Sequence, residues 1–448
     1  MILLDRSGFI IIAEICGSPY TAPTRFLSPY QGLALNMAST FNIGDLIVTR
    51  SQDEPRTLSN IVLTNDLIYD IVLSYCTPAS FLCLARTCKS AHAAVKSYMQ
   101  RAFNINRILS RFLTSPLAFR QMQARTGALL SGSAALQFFD RSYYPESDLD
   151  IYADFKHRIE VGEFLFKEGY EFKPEREQSH DFHTAVSAYQ PPPFDNYEFK
   201  GVCAVLTFIK KWDDGKAVKA QMIVTKNNPM EAILGFHSTC VMNVISCDMA
   251  YSLYPNATFE ERTSLICGSG YEESKEVAYD KYRSRGWDVD DCFDYTYLDT
   301  AYHTTAFRWI GDTHCWSIPL DTSFITARIP LLSGSKPIIC DPIVISNWVL
   351  FHEDGKGGDM RADVLTDPYL ACSYVVDPSC NFFRVHATIL KFETRDRRMG
   401  RVHRDRDYID RCLDHLRANM ELPREQYPDS SEDEDLMISH YWSQPFNE

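Results

Sequence analysis

The chain has 448 residues, of which 45% are hydrophobic, 23% charged and 13% aromatic, enough apolar material for two or three folded cores. Its 45 Lys+Arg against 59 Asp+Glu leave a net charge of −14, which argues against general electrostatic binding to nucleic acid or to an anionic membrane. No apolar run approaches the ~20 residues of a membrane span, and the 14 cysteines are scattered without CxxC or any other zinc-ligand spacing.

The opening stretch, MILLDRSGFIIIAEICGSPYTA, is apolar but broken by Asp5 and Glu14 and has no basic region ahead of it, a poor secretory signal. The expected compartment is therefore the cytoplasm or nucleus, where the thiols stay reduced. Residues 1–58 show little periodicity and many Ser, Pro, Thr and Gly, and predict a poorly ordered leader with at most a short apolar hairpin.

Residues 59–105 predict three short helices. Thr64 or Asn65 caps the first, which is expected to present Leu67, Ile71 and Val72 on one face. Thr77 and Pro78 give the cap and first position of the second, carrying Phe81, Leu82, Leu84 and Ala85. The third starts at Lys89 and brings Ala91, Ala94, Val95 and Tyr98 together. So few residues cannot bury a core alone, and an apolar face must dock on something. On Leu63, Leu67, Ile71 and the run Leu82-Cys83-Leu84-Ala85-Arg86-Thr87-Cys88, this stretch resembles an F-box. The resemblance implies docking on a Skp-family adaptor of a cullin ubiquitin ligase through Leu63, Leu67, Ile71, Leu82 and Leu84. Asn65 departs from it, near the position where a proline usually follows the opening leucine.

Residues 106–290 alternate strand and helix signals. ALLSG reads as a strand into a turn, SAALQFF as a helix, LDIYA as a second strand and 157–167 as a helix. CAVLTFIKKWDDGKAVKAQMIV is a hairpin turning at Asp213-Asp214-Gly215-Lys216. Asn228-Pro229 starts a further helix, and CVMNVIS is another strand candidate. Over 291–420 come short apolar runs (TAFRWIG, CWSIPL, PIVISNWVLF), then an amphipathic helix at 405–420; residues 421–448 form an acidic tail.

The chemistry concentrates in SGSAALQFFDRSYYPESDLDIYAD, residues 131–154. Side chains alternate along a strand, so Asp148 and Asp150 point the same way and repel unless a cation lies between them. Magnesium, which prefers carboxylate and phosphate oxygens, suits such a pair. The Gly132-Ser133 turn aims backbone N–H groups and a hydroxyl at a triphosphate. Gly-Ser followed by Asp-x-Asp over 106–250 resembles the nucleotidyltransferase superfamily. The resemblance implies Asp148 and Asp150 as catalytic and metal-holding residues, Gly132 and Ser133 as nucleotide-binding ones, and a third carboxylate on a following strand. The position aligned with that third carboxylate is Gln221, which carries no charge and cannot act as a base; Lys219 beside it supplies the opposite sign. Asp181, in SHDFHTAV, is a weak substitute, and His180 and His183 lack a third metal ligand.

The whole arrangement over residues 60–320, ending in KYRSRGW, resembles fungal, chiefly mushroom-type, F-box proteins with a nucleotidyltransferase-like domain. The expected fold is α+β: a small helical F-box-like subdomain, then a nucleotidyltransferase-like mixed sheet with helices, then a strand-rich C-terminal region and helix. Two functions follow from this reading. One is an adaptor whose degenerate nucleotidyltransferase-like domain binds nucleotide or protein; the other is an active magnesium-dependent nucleotidyltransferase using Asp148, Asp150 and Ser133. The missing charge at Gln221 favours the first.

Overall fold

A computed structural model describes residues 2–4, 10–12, 62–175, 177–188, 201–268, 273–291, 293–294, 297–326, 342–352, 357–366 and 372–377. Most of the leader, the helix expected at 405–420 and the acidic tail lie outside the described residues. Contacts divide the chain into two units, Met1–Met99 and Gln100–Glu448. Among the described residues no helix is long and apolar enough to cross a membrane.

The first unit opens with an antiparallel hairpin of β1 (Ile2–Leu4) and β2 (Ile10–Ile12), with Ile2 opposite Ile12. Three helices follow: α1 (Asp66–Ser74), α2 (Pro78–Ala85) and α3 (Lys89–Ala102). Asn65 caps α1 by accepting the Leu67 N–H, and Thr77 caps α2 by accepting the Ser80 N–H, with Pro78 in the first turn. Ala91, Ala94, Val95 and Tyr98 of α3 are all buried, as their spacing predicts, and the Tyr98 ring meets Phe81 edge-on at 6.0 Å.

The first helix corrects the sequence reading. Its buried face is Tyr69, Val72 and Leu73, whereas Leu67 and Ile71 stand 74% and 63% exposed. At ~100° per residue, Val72 lies roughly 140° around the helix from Leu67, too far to share a stripe with it. Leu82 on α2 is also exposed, and Leu63 and Leu84 are half-buried. Leu67, Ile71 and Leu82 thus remain exposed apolar side chains on this unit.

The second unit begins with α4 (Ile105–Leu109), α5 (Pro116–Thr126), β3 (Leu129–Ser131), α6 (Gly132–Asp140), β4 (Leu149–Asp154) and α7 (Arg158–Lys167). Next are β5 (Glu171–Lys173), α8 (Phe182–Ala188), the hairpin β6 (Val202–Lys211) and β7 (Ala217–Thr225), α9 (Pro229–Leu234), β8 (Asn243–Ile245) and β9 (Met249–Ser252). Then β10 (Thr263–Leu265), α10 (Glu273–Ser284) and β11 (Asp288–Asp290) form a small parallel unit. The last described strands are β12 (Phe307–Trp309), β13 (Trp316–Pro319), β14 (Asn347–His352), β15 (Gly358–Arg361), β16 (Asp363–Leu365) and β17 (Tyr374–Val376).

Eight strands make one mixed sheet in the order β13-β9-β8-β3-β4-β7-β6-β5, so the fold is α+β. Every neighbouring pair is antiparallel except β4 and β7. The edge strand β13 comes from beyond residue 290 yet pairs with β9, and Trp316 packs against Phe103, Phe139 and Phe259. Tyr152 and Met230 likewise share a core with Tyr302, Trp348 and Val375, so the strand-rich C-terminal stretch completes the core of the sheet.

Register fixes what each face of the sheet carries. Leu149, Ile151 and Ala153 align with Ala220, Met222 and Val224, and next with Phe208, Leu206 and Ala204; all are buried on one face. On that side Val161 and Leu165 of α7 are buried, and the Phe182 ring of α8 packs on Phe208 and Phe172. Gly162 makes room for it, since a Cβ there would run into the Phe182 ring. The opposite face aligns Asp150 with Gln221 and Thr207, and these three stay only partly buried.

Candidate functional site

The site forms where β3 ends and β4 begins. Gly132 starts α6 with φ +63°, a left-handed conformation that costs glycine little and other residues more. A Cβ at this position would collide with the Asp150 carboxylate, so the glycine is also what lets the acid seat against the turn. Ser131, whose hydroxyl donates to the Asn243 carbonyl at 2.5 Å, pairs with Asp150 across the sheet.

A clamp holds the loop that delivers Asp148. Arg111 donates to Gln137 Oε1 at 2.9 Å, to the Tyr144 carbonyl at 2.8 Å and to Ser147 Oγ at 3.2 Å. Gln137, on α6, donates to Ser147 Oγ at 3.0 Å and accepts the Tyr144 N–H at 2.8 Å. From outside the loop, Arg285 pairs with Glu146 at 2.8 Å and lies over the Tyr144 ring at 3.9 Å. Hydrogen bonds from cationic groups are among the stronger ones available, so the loop is fixed at both ends.

The parallel β4–β7 register sets the charges. Gln221 stands directly across from Asp150, where the third carboxylate was expected. Two residues back along each chain segment, just before β4 and within β7, Lys219 Nζ binds Asp148 Oδ2 at 2.6 Å. The Asp150 carboxyl is pushed up to about 7 by desolvation first and by the Asp148 charge second, while Lys281 and Lys219 pull it down. At neutral pH it therefore exchanges between carboxylate and carboxylic acid.

Magnesium takes an octahedral shell of hard oxygens, commonly one or two carboxylates with water and phosphate. Here Asp148 is engaged by an ammonium group and Gln221 is neutral. Among the described residues no three His, Cys, Asp or Glu side chains stand close enough to share an ion.

Ser133, the expected phosphate contact, is 4% exposed, with Tyr282 beside it. Asp181 belongs to a different place: its carboxylate accepts the Thr184 N–H at 2.7 Å and hydroxyl at 2.8 Å, capping α8, and His183 pairs with Glu163 at 3.0 Å. Asp214 accepts the Lys216 N–H at 2.9 Å and shapes the hairpin turn.

The sequence reading missed α10. Its Lys281 acts electrostatically on both Asp150 and Asp148, and its own pKa is lowered by desolvation and by Arg285. Trp287 anchors this segment, donating from Nε1 to the Thr258 carbonyl at 2.9 Å. His237 stacks on Tyr279 and Tyr282. Desolvation, then Lys281 and Lys275, push His237 down to about 4, so the ring is neutral, and its buried Nδ1 has no hydrogen-bond partner. The available signal was the i, i+4 spacing of Lys281 and Arg285 in KYRSRGW, which puts two cations on one side of the chain.

Beside Asp148 a cleft of about 110 Å³ opens, lined by Arg111, Lys216 and Lys219 together with Glu146 and Asp148. Compared with known proteins, the chain matches no family model, no curated protein and no solved structure.

Proposed function

We propose that this chain is an F-box-type adaptor whose second unit is a nucleotidyltransferase-like domain serving as a binding platform for a nucleoside triphosphate. The observation that carries the choice of platform over transferase is the pair of contacts at the β4–β7 seam: Lys219 on Asp148 at 2.6 Å, and Gln221 opposite Asp150. Nucleotidyl transfer needs charge neutralisation at the phosphates and a base for the incoming hydroxyl. Glutamine supplies neither, and the ammonium group takes the place a cation would hold.

The adaptor half of the reading is supported by Leu67, Ile71 and Leu82, apolar side chains left exposed on a small helical unit. A Skp-family partner of a cullin ligase is the proposed occupant. Cytoplasm or nucleus is the matching compartment.

Two experiments test the halves separately. Purified protein is incubated with labelled nucleoside triphosphates and magnesium or manganese; the expected result is binding without incorporation. Incorporation lost in an Asp148→Ala, Asp150→Ala double variant would replace the platform by a working transferase. For the adaptor, a purified Skp-family protein is expected to bind the chain and to lose it on Leu67→Asp or Ile71→Asp. Absence of binding, or binding indifferent to those changes, removes the ligase role.

A further inference from the structure

We infer that the second unit binds a polyphosphate anion without a divalent metal, with Lys219 of β7, Lys281 of α10 and Arg285 just beyond α10 supplying the positive charge. This rests on the platform reading and goes beyond it by naming what stands in for the cation.

Three observations converge on it. Lys219 already sits on Asp148 at 2.6 Å, beside the uncharged Gln221, so the acidic pair is answered by protein charge. Arg285 is 7% exposed, uses Nη2 on Glu146 at 2.8 Å, and leaves Nη1 buried without a hydrogen-bond partner. A buried cationic donor without an acceptor is costly, and a phosphate oxygen is the acceptor that suits a guanidinium best. Finally, the cleft beside Asp148 is lined by Arg111, Lys216 and Lys219 against Glu146 and Asp148, and Arg285 meets its rim through Glu146, in a chain whose net charge is −14. That local reversal of sign draws an anion to this place.

Lys281 supports the same assignment: it stands in the last turn of α10, four residues before Arg285, and its charge acts on Asp150 and Asp148. A phosphate chain lying between Lys219 and Lys281 would meet side-chain cations where a transferase presents metal ions. Since Ser133 is buried at 4% exposure, phosphate recognition moves from the hydroxyl of the turn to these cations.

The test is calorimetric titration of the full-length protein with ATP and with inorganic tripolyphosphate, each in EDTA and in excess magnesium. ATP is expected to bind in EDTA within about threefold of its affinity in magnesium. Lys281→Ala and Arg285→Ala each weaken it about tenfold, with Lys281→Arg restoring binding. Arg283→Ala is the control, since Arg283 is engaged with Glu276 at 2.6 Å and Asp280 at 3.1 Å; it leaves affinity unchanged. Equal affinity for tripolyphosphate assigns recognition to the phosphates alone, and tighter ATP binding adds a contact to the nucleoside; both agree with the inference. Binding that requires magnesium overturns it and leaves the platform reading standing. Binding indifferent to Lys281→Ala and Arg285→Ala overturns the assignment of the cations. No binding of either ligand in either buffer overturns the platform reading too.

Discussion

At position 132 backbone and side-chain demands coincide. The φ of +63° disfavours any L side chain, and the space a Cβ needs is filled by the Asp150 carboxylate. Gly132→Ala is expected to destabilise the protein by about 2 kcal/mol or more, read as a lower urea midpoint, because strain and displacement of Asp150 add. Asp150 gives a second prediction at this scale. Burial and Asp148 raise its pKa to about 7, above the ordinary carboxylate value, against the pull of Lys281 and Lys219. Between about pH 4 and about pH 7 the native state then binds more protons than the unfolded one, so this group's contribution to stability falls as pH rises through that window. Asp150→Asn should flatten the slope and gain stability relative to wild type at about pH 8. Urea midpoints at about pH 5 and about pH 8 check it, and a mutant slope as steep as the wild type's would contradict the assignment.

Among the elements, those with local signals were legible. The β6–β7 hairpin announces itself by alternation and an Asp-Asp-Gly-Lys turn, and α9 by its Asn-Pro start. The Gly-Ser turn, the Asp-x-Asp strand and the place of Gln221 were readable for the same reason, since strand periodicity and one parallel register fix them. What could not be read was tertiary. Lys281 and Arg285 lie far along the chain from Asp148, and nothing local tells which surface α10 covers. Val72 was grouped with Leu67 and Ile71, yet it is buried and they are exposed, because two apolar stripes on one short helix cannot be ranked without knowing its neighbour. Asp181 marks the same limit: it was a weak candidate for the third carboxylate, and its partner is a helix terminus. Asp181→Ala should cost about 1 kcal/mol of stability through loss of the α8 cap, with ATP affinity unchanged. Thermal unfolding and titration of the same variant separate these effects.

For the molecule as a whole, charge and core make separate demands. The second unit buries the ion pair of Arg308 and Asp312, 1% and 2% exposed, with Arg308 also donating to the Leu253 carbonyl at 2.9 Å. Asp312 accepts further N–H bonds from His314 and Cys315, both at 2.9 Å. Asp312→Ala would leave a guanidinium buried without its counterion, and a loss of about 3–5 kcal/mol in equilibrium unfolding is expected. The long-range field acts on binding: with −14 overall and a cation-lined cleft, a phosphate ligand depends on unscreened local charge. Raising salt from about 50 to about 500 mM should weaken ATP binding by about tenfold, measured by titration.

The parallel seam between β4 and β7 has a consequence for how the chain can change. Because Gln221 already faces the same side as Asp150, and Lys219 already meets Asp148, the backbone needed to display three acids is built. Lys219→Ser with Gln221→Glu would free one carboxylate and add another without moving a strand. In mutational distance, the lysine-paired site and one displaying three carboxylates stand two substitutions apart.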